Sequence, residues 1–251
     1  MIQPPYLTKI SWRSDNERPA RFPFNLPVLK DPNFEVDFIK PVTVLIGENG
    51  SGKSTILEAI AANVGFAAQG GSRNHNYARD DNEPAKQLAN QLRFSWRKRV
   101  SRGFFFRAES FFNFASFLET EAVDVGDVAY APYGGKSLKE RSHGEAFLTF
   151  FAERPNYEAI YVLDEPEAAL SPQRQLILME IIHKLAIIGN AQVIMATHSP
   201  LLSAMPFAEL LSLEGGVIRE RSYNTTEHYK LYSRFIEAPG TLFRHMFQDD
   251  T

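Results

Sequence analysis

The chain has 251 residues, 44% of them hydrophobic, enough to bury a sizeable core in one large domain or two small ones. Its net charge of −3 gives no bulk attraction to nucleic acid or to acidic membranes. Without cysteine it has no disulfide, thiolate metal site or thiol nucleophile, and no apolar run approaches the roughly eighteen residues a membrane helix needs. The first residues, MIQPPYLTKISWR, lack the apolar core of a signal peptide, so a cytoplasmic location is expected.

Tyr6 to Trp12 reads as a first strand. Residues 19–32 carry four prolines and read as extended or looped chain. Phe34, Val36 and Phe38 alternate as a second strand does. Then comes Val42 to Thr55, VTVLIGENGSGKST, which fits G-x-x-x-x-G-K-[ST] as Gly47, Gly52, Lys53 and Ser54. An apolar strand runs in, and Ile56, Ile60 and Val64 recur on one helical face behind it. Glycines let the backbone of Glu48, Asn49, Gly50, Ser51 and Gly52 wrap closely round a phosphate at a positively polarised helix N-terminus. Lys53 supplies a full charge for the β- and γ-phosphates. Ser54 offers a hydroxyl to Mg²⁺, with Thr55 beside it. An ordinary glycine turn is the bland alternative, and the strand–helix context argues against it.

Gln69 to Asn90 reads as irregular loop with a short helix. Leu92, Phe94 and Trp96 alternate, and Phe104 to Phe106 make another short strand. Arg93, Arg97, Lys98, Arg99, Arg102 and Arg107 crowd this region among aromatics. Such a mixture suits a nucleic-acid backbone, but a solvated charged hairpin is favoured. Glu109 to Thr120 is expected to be helical, and a glycine-bearing loop follows. Ser142 and Glu145 form an S-x-x-E capping box before an apolar helix. That is either a capped helix alone or, with Gly144, a second phosphate site. Tyr157 to Leu163 is a strand buried on both faces. A long helix is expected to end at Gly189, Val193 to Ala196 is a further buried strand, and a hairpin spans 210–221. Two short helices are expected after Thr226, broken at Pro239-Gly240.

Alternating strands and helices predict an α/β fold with a mainly parallel sheet, its site at the strand C-termini. There, Asp164 at the end of a core strand can hold Mg²⁺, and Glu165, on the other side of the pleat, can act as general base on water; a solvated strand end with an N-cap is the bland alternative, and the P-loop argues against it. His198 ends another core strand, where it can donate to a γ-phosphate or position the water, although a lone histidine is more often structural.

The order P-loop, serine-glycine signature, Asp-Glu-Pro strand end and Thr-His-Ser resembles the ABC-type ATPases. It is most similar to small AAA/ABC-like ATPases related to the chromosome-maintenance and repair enzymes. The segments EPEAALSPQ and ATHSP carry the likeness, over about residues 20–200. The resemblance implies a single ABC-type domain over 1–251, with a small β layer and a helical lobe inserted at about 109–141. It implies ATP and Mg²⁺ as cofactors and an ATP-sandwiched homodimer. Ser142 and Gly144 would contact the nucleotide held by the other subunit. Glu165 would be the catalytic base, His198 the switch histidine and Ala169 to Ser171 the dimer-interface loop. Glu109 would stand in for the missing Q-loop glutamine near Mg²⁺ or the water, with a helix-start acid an equal alternative, and Arg73 for a phosphate-sensing arginine, with a solvated loop arginine the favoured alternative. Phe22 or Phe24 would stack on adenine, with core packing an equal alternative. Two positions depart from the family: leucine-serine-glycine-glycine-glutamine is here Arg141-Ser142-His143-Gly144-Glu145, and the interface-loop aspartate is Ser171. Three uses remain open: a switch or motor in DNA repair, defence or another nucleic-acid process, a transporter's nucleotide-binding subunit, or a low-turnover ATP sensor.

Overall fold

The computed structural model describes residues 2–13, 18–67, 70–72, 83–107, 111–126, 130, 135–137, 139, 142–154 and 156–247. Arg73, Glu109 and Arg141 lie outside the described residues.

Two sheets form the frame. The larger has six strands in the order β5 (Gly103–Arg107), β6 (Ala159–Asp164), β7 (Ala191–Ala196), β3 (Val42–Ile46), β8 (Glu209–Ser212) and β9 (Arg219–Glu220). All neighbours are parallel except β8 and β9, the expected hairpin. The smaller sheet, β2 (Glu35–Asp37), β1 (Leu7–Trp12) and β4 (Leu92–Trp96), is antiparallel.

Every residue of β3, β6 and β7 is buried, which is why these strands read as unbroken apolar runs. The pleat sends alternate residues to opposite faces. Phe104, Phe106, Tyr161, Leu163, Val193 and Met195 enter one core with α4 (His143–Ala152) and α5 (Pro172–Ile182). Phe105, Ile160, Val162, Ile194 and Ala196 enter the other, with α1 (Lys53–Val64) and the small sheet. The first core is aromatic: Phe106 lies 4.2 Å from Phe147 by ring centres, and Phe104 lies 4.5 Å from Phe150.

Gln192 fastens the small sheet to the large one. Its fully buried amide oxygen accepts from the Tyr6 and Leu7 N–H groups, both at 2.9 Å, and its Nε2 donates to the Leu7 carbonyl at 2.8 Å. Among the remaining described elements, α2 (Glu83–Gln91) packs on α1, and α3 (Phe111–Val125) joins the aromatic core. The expected long helix is α5 followed by a π-helical stretch, His183–Ile188, ending at Gly189. A short α6 (Pro200–Ser203) follows β7. The tail forms α7 (Glu227–Glu237) and α8 (Pro239–Phe247), with no buried residue in α7. Among the described residues no helix is long and apolar enough to cross a membrane.

Candidate functional site

Strand register assembles the site. Ala196 pairs with both Leu45 and Asp164, so β3, β6 and β7 end side by side. The loops leaving those ends are the glycine-rich loop, Asp164-Glu165-Pro166 and His198-Ser199-Pro200.

The glycine-rich loop is built as a cradle. Gly50 (φ 78°) and Gly52 (φ 107°) adopt left-handed backbone, and a Cβ on Gly52 would stand 2.8 Å from Val28. Lys53 is 4% exposed, and its Nζ donates to the Gly47 carbonyl at 2.7 Å and the Glu48 carbonyl at 3.0 Å. Burial lowers its pKa, while the charges of Glu165, Asp164 and Glu167 oppose that shift.

Asp164 has the same parity as Ile160 and Val162, so it faces α1. There the Ser54 hydroxyl donates to its Oδ1 at 3.0 Å. Arg107, at the matching position of β5, brings Nε to 3.7 Å from Oδ2 and donates from Nη1 to Glu58 Oε1 at 2.8 Å. Burial pushes the Asp164 carboxyl up to about 6, against the pull of Ser54 and Arg107. A hydroxyl and a buried carboxylate converging in this way are hard oxygen donors, which suits Mg²⁺.

Glu165 turns the chain out of the sheet. It is the one described non-glycine residue with positive φ (48°), and its side chain is 47% exposed on the open side of the site. His198 Nε2 lies 3.7 Å from Glu165 Oε1, and that buried nitrogen has no hydrogen-bond partner. Burial first, then the Lys53 charge, lowers the His198 pKa. An unsatisfied buried ring nitrogen beside a lysine and a carboxylate fits an incoming phosphate oxygen.

The signature residues lie elsewhere on the same chain. Ser142 is exposed and N-caps α4, and both halves of the capping box form. Gly144 fits its own chain closely: a Cβ there would stand 2.8 Å from Arg174 Nη1 and 2.9 Å from the Ala169 carbonyl. Ser171 N-caps α5. Phe22 is 51% exposed, whereas Phe24 is buried beside Trp12, so Phe24 is a core residue.

Sequence reasoning missed two parts. Glu167 Oε1 accepts from the His198 N–H at 2.6 Å and the Ser199 N–H at 3.2 Å, tying the histidine loop to the loop after β6. Its proximity to Glu165 in sequence was the only signal. Arg107, grouped above with the basic cluster, is instead a partner of Asp164 and Glu58.

A strand, a glycine loop closing on a buried lysine, and a serine–aspartate pair at a parallel sheet's edge define a P-loop nucleotide-binding protein. A family described as an AAA domain matches residues 28–121. A second AAA-domain family, named for a proposed AbiEii toxin of a type IV TA system, matches residues 146–204. Both matches are to AAA domains, and the first of them contains the P-loop. No curated protein matches it. Among similar solved structures, cbiO1 from Clostridium perfringens, described as part of the ABC transporter complex cbiONQ, is 16% identical. It covers 83% of this chain and 89% of its own, with a TM-score of 0.46. A dimeric bacterial ABC transporter cassette is 17% identical over 77% of this chain and 90% of its own, with a TM-score of 0.42. A post-hydrolysis dimer of an ATP-binding cassette with ADP and Pi is 16% identical over the same shares, with a TM-score of 0.44.

Proposed function

We propose that this protein hydrolyses ATP as a nucleotide-sandwiched homodimer, one ABC-type domain per chain with its helical lobe at about 109–141. The observation that carries this reading is the convergence of Lys53, Ser54, Asp164, Glu165 and His198 at one sheet edge, while the signature Ser142 is exposed on a separate helix.

In this reading the loop from Glu48 to Thr55 cradles the phosphates, and Lys53 leaves the Gly47 and Glu48 carbonyls to bind the β- and γ-oxygens. Ser54 and Asp164 hold Mg²⁺, which when bound neutralises the phosphate charge. Glu165 accepts a proton from the attacking water, and His198 donates to the γ-phosphate. Ser142 closes over the nucleotide bound to the other copy, while Gly144 packs behind it against Arg174 of its own chain. Phe22 offers an exposed ring to adenine, with Arg73 and Glu109 as further phosphate and metal contacts. ATP acts by binding the closed dimer better than the open one, and hydrolysis releases it.

The workplace is cytoplasmic in this reading, where ATP and Mg²⁺ are supplied. The use we favour is a switch or motor in DNA repair, defence or another nucleic-acid-linked process. The second family's description supports defence among these. Direct binding through the basic cluster is not favoured: Lys98 pairs with Glu158, Arg99 donates to the Asn63 carbonyl, and Arg102 lies over Tyr157. Glu165→Gln should keep ATP binding, stop turnover and accumulate as a dimer with ATP and Mg²⁺ in light scattering. A monomer at saturating ATP would refute the sandwich.

A further inference from the structure

The signature pattern that this chain resembles has a glutamine where the chain has Glu145, and the carboxylate poses an electrostatic problem. The N-terminus of α4 and the Ser142 hydroxyl attract a phosphate. A carboxylate in the same helical turn repels it. The structure supplies a cation at this point. Arg174, in the first turn of α5, donates from Nη2 to Glu145 Oε1 at 3.0 Å and from Nη1 to Ser142 Oγ at 3.1 Å. Ser142 Oγ also accepts from the Glu145 N–H at 3.4 Å. A serine oxygen has two acceptor positions and one hydrogen. With both acceptor positions turned toward the protein, its O–H is left to donate outward. Gly144 makes this arrangement possible, since a Cβ there would crowd the guanidinium at 2.8 Å.

We propose that Arg174 is a positioning residue for the phosphate contact made across the dimer: it cancels the Glu145 carboxylate and turns the Ser142 hydroxyl outward as a donor to the other subunit's nucleotide. The proposal rests on the sandwich reading. It explains why a signature can carry glutamate here, and why its glycine faces α5.

The test uses the full chain in the Glu165→Gln background, following dimer formation against ATP concentration by light scattering. Adding Arg174→Ala should raise the ATP concentration for half-maximal dimer by about tenfold, a screened unit charge acting near a phosphate. ATP binding to the monomer, followed with a fluorescent analogue, should be unchanged. Adding Glu145→Gln to Arg174→Ala should restore most of the loss, which a merely structural defect would not do. An unshifted midpoint in Arg174→Ala, or no restoration by Glu145→Gln, overturns the proposal while leaving the sandwich intact. Should the parent itself fail to dimerise, the sandwich reading falls and this inference with it. If Arg174→Ala does not fold, Glu145→Gln alone decides: it should dimerise at lower ATP, and an unchanged midpoint overturns the proposal.

Discussion

The Ser54 hydroxyl donates to Asp164 Oδ1 at 3.0 Å, although 110 positions separate the two residues in sequence. The first sits at the start of α1, the second at the end of β6, and pleat parity turns the carboxylate toward the helix. Burial raises the Asp164 pKa from 3.8 to about 6. The folded chain therefore holds this proton more tightly than the unfolded chain does. Without Mg²⁺ or nucleotide, the contribution to stability is largest below pH 3.8 and is lost as pH rises to about 6, amounting to about 3 kcal/mol. Asp164→Asn should remove that dependence and raise stability at pH 8 by roughly 1–3 kcal/mol in urea titrations with a chelator present. It should also abolish the Mg²⁺ dependence of ATP binding.

Lys53 is held by two carbonyl oxygens that a triphosphate would replace. Lys53→Ala should weaken ATP binding by roughly a hundredfold or more, as loss of a charge-assisted phosphate contact does. Its circular dichroism should match the parent's. Tight ATP binding by this variant in calorimetry would contradict the phosphate role.

Glu167 fixes the histidine loop through two backbone N–H groups. Glu167→Ala leaves both donors without that acceptor, at a cost of about 1–3 kcal/mol in stability. Because His198 then loses its anchor, kcat should fall roughly tenfold or more while the KM for ATP changes little. Steady-state phosphate release separates the two effects. Equal kcat in the variant and the parent would show that Glu167 only supports the fold.

Gln192 bridges the two sheets with three buried hydrogen bonds. Gln192→Leu keeps the bulk but strands the Tyr6 and Leu7 N–H groups. Unfolding in urea should show a loss of about 2–4 kcal/mol. Affinity for ATP in the folded fraction should persist, because the P-loop lies at the other end of β3.

Elements with strong local signals were legible from the sequence. The buried strands, the helix after the P-loop, the S-x-x-E cap and the two tail helices follow from periodicity, glycine placement and capping chemistry. Boundaries shifted where neighbours decide them: β6 starts at Ala159 rather than Tyr157, and the helix before Gly189 changes to π-helical winding at His183. Phe22 and Phe24 look alike in sequence, yet only Phe24 is sealed beside Trp12.

By itself the sequence determined which residues could do nucleotide chemistry: a lysine in a glycine loop, an acid pair after one apolar strand, a histidine after another. Those signals are local, since each depends on a few adjacent residues. Only the tertiary structure decided which distant groups meet them. Strand order and register set Arg107 beside Asp164 and Glu167 under His198, and helix packing laid Arg174 across Ser142 and Glu145. Contacts of that kind depend on which strand lies next to which and which helix covers them, and neither leaves a periodic trace along the chain.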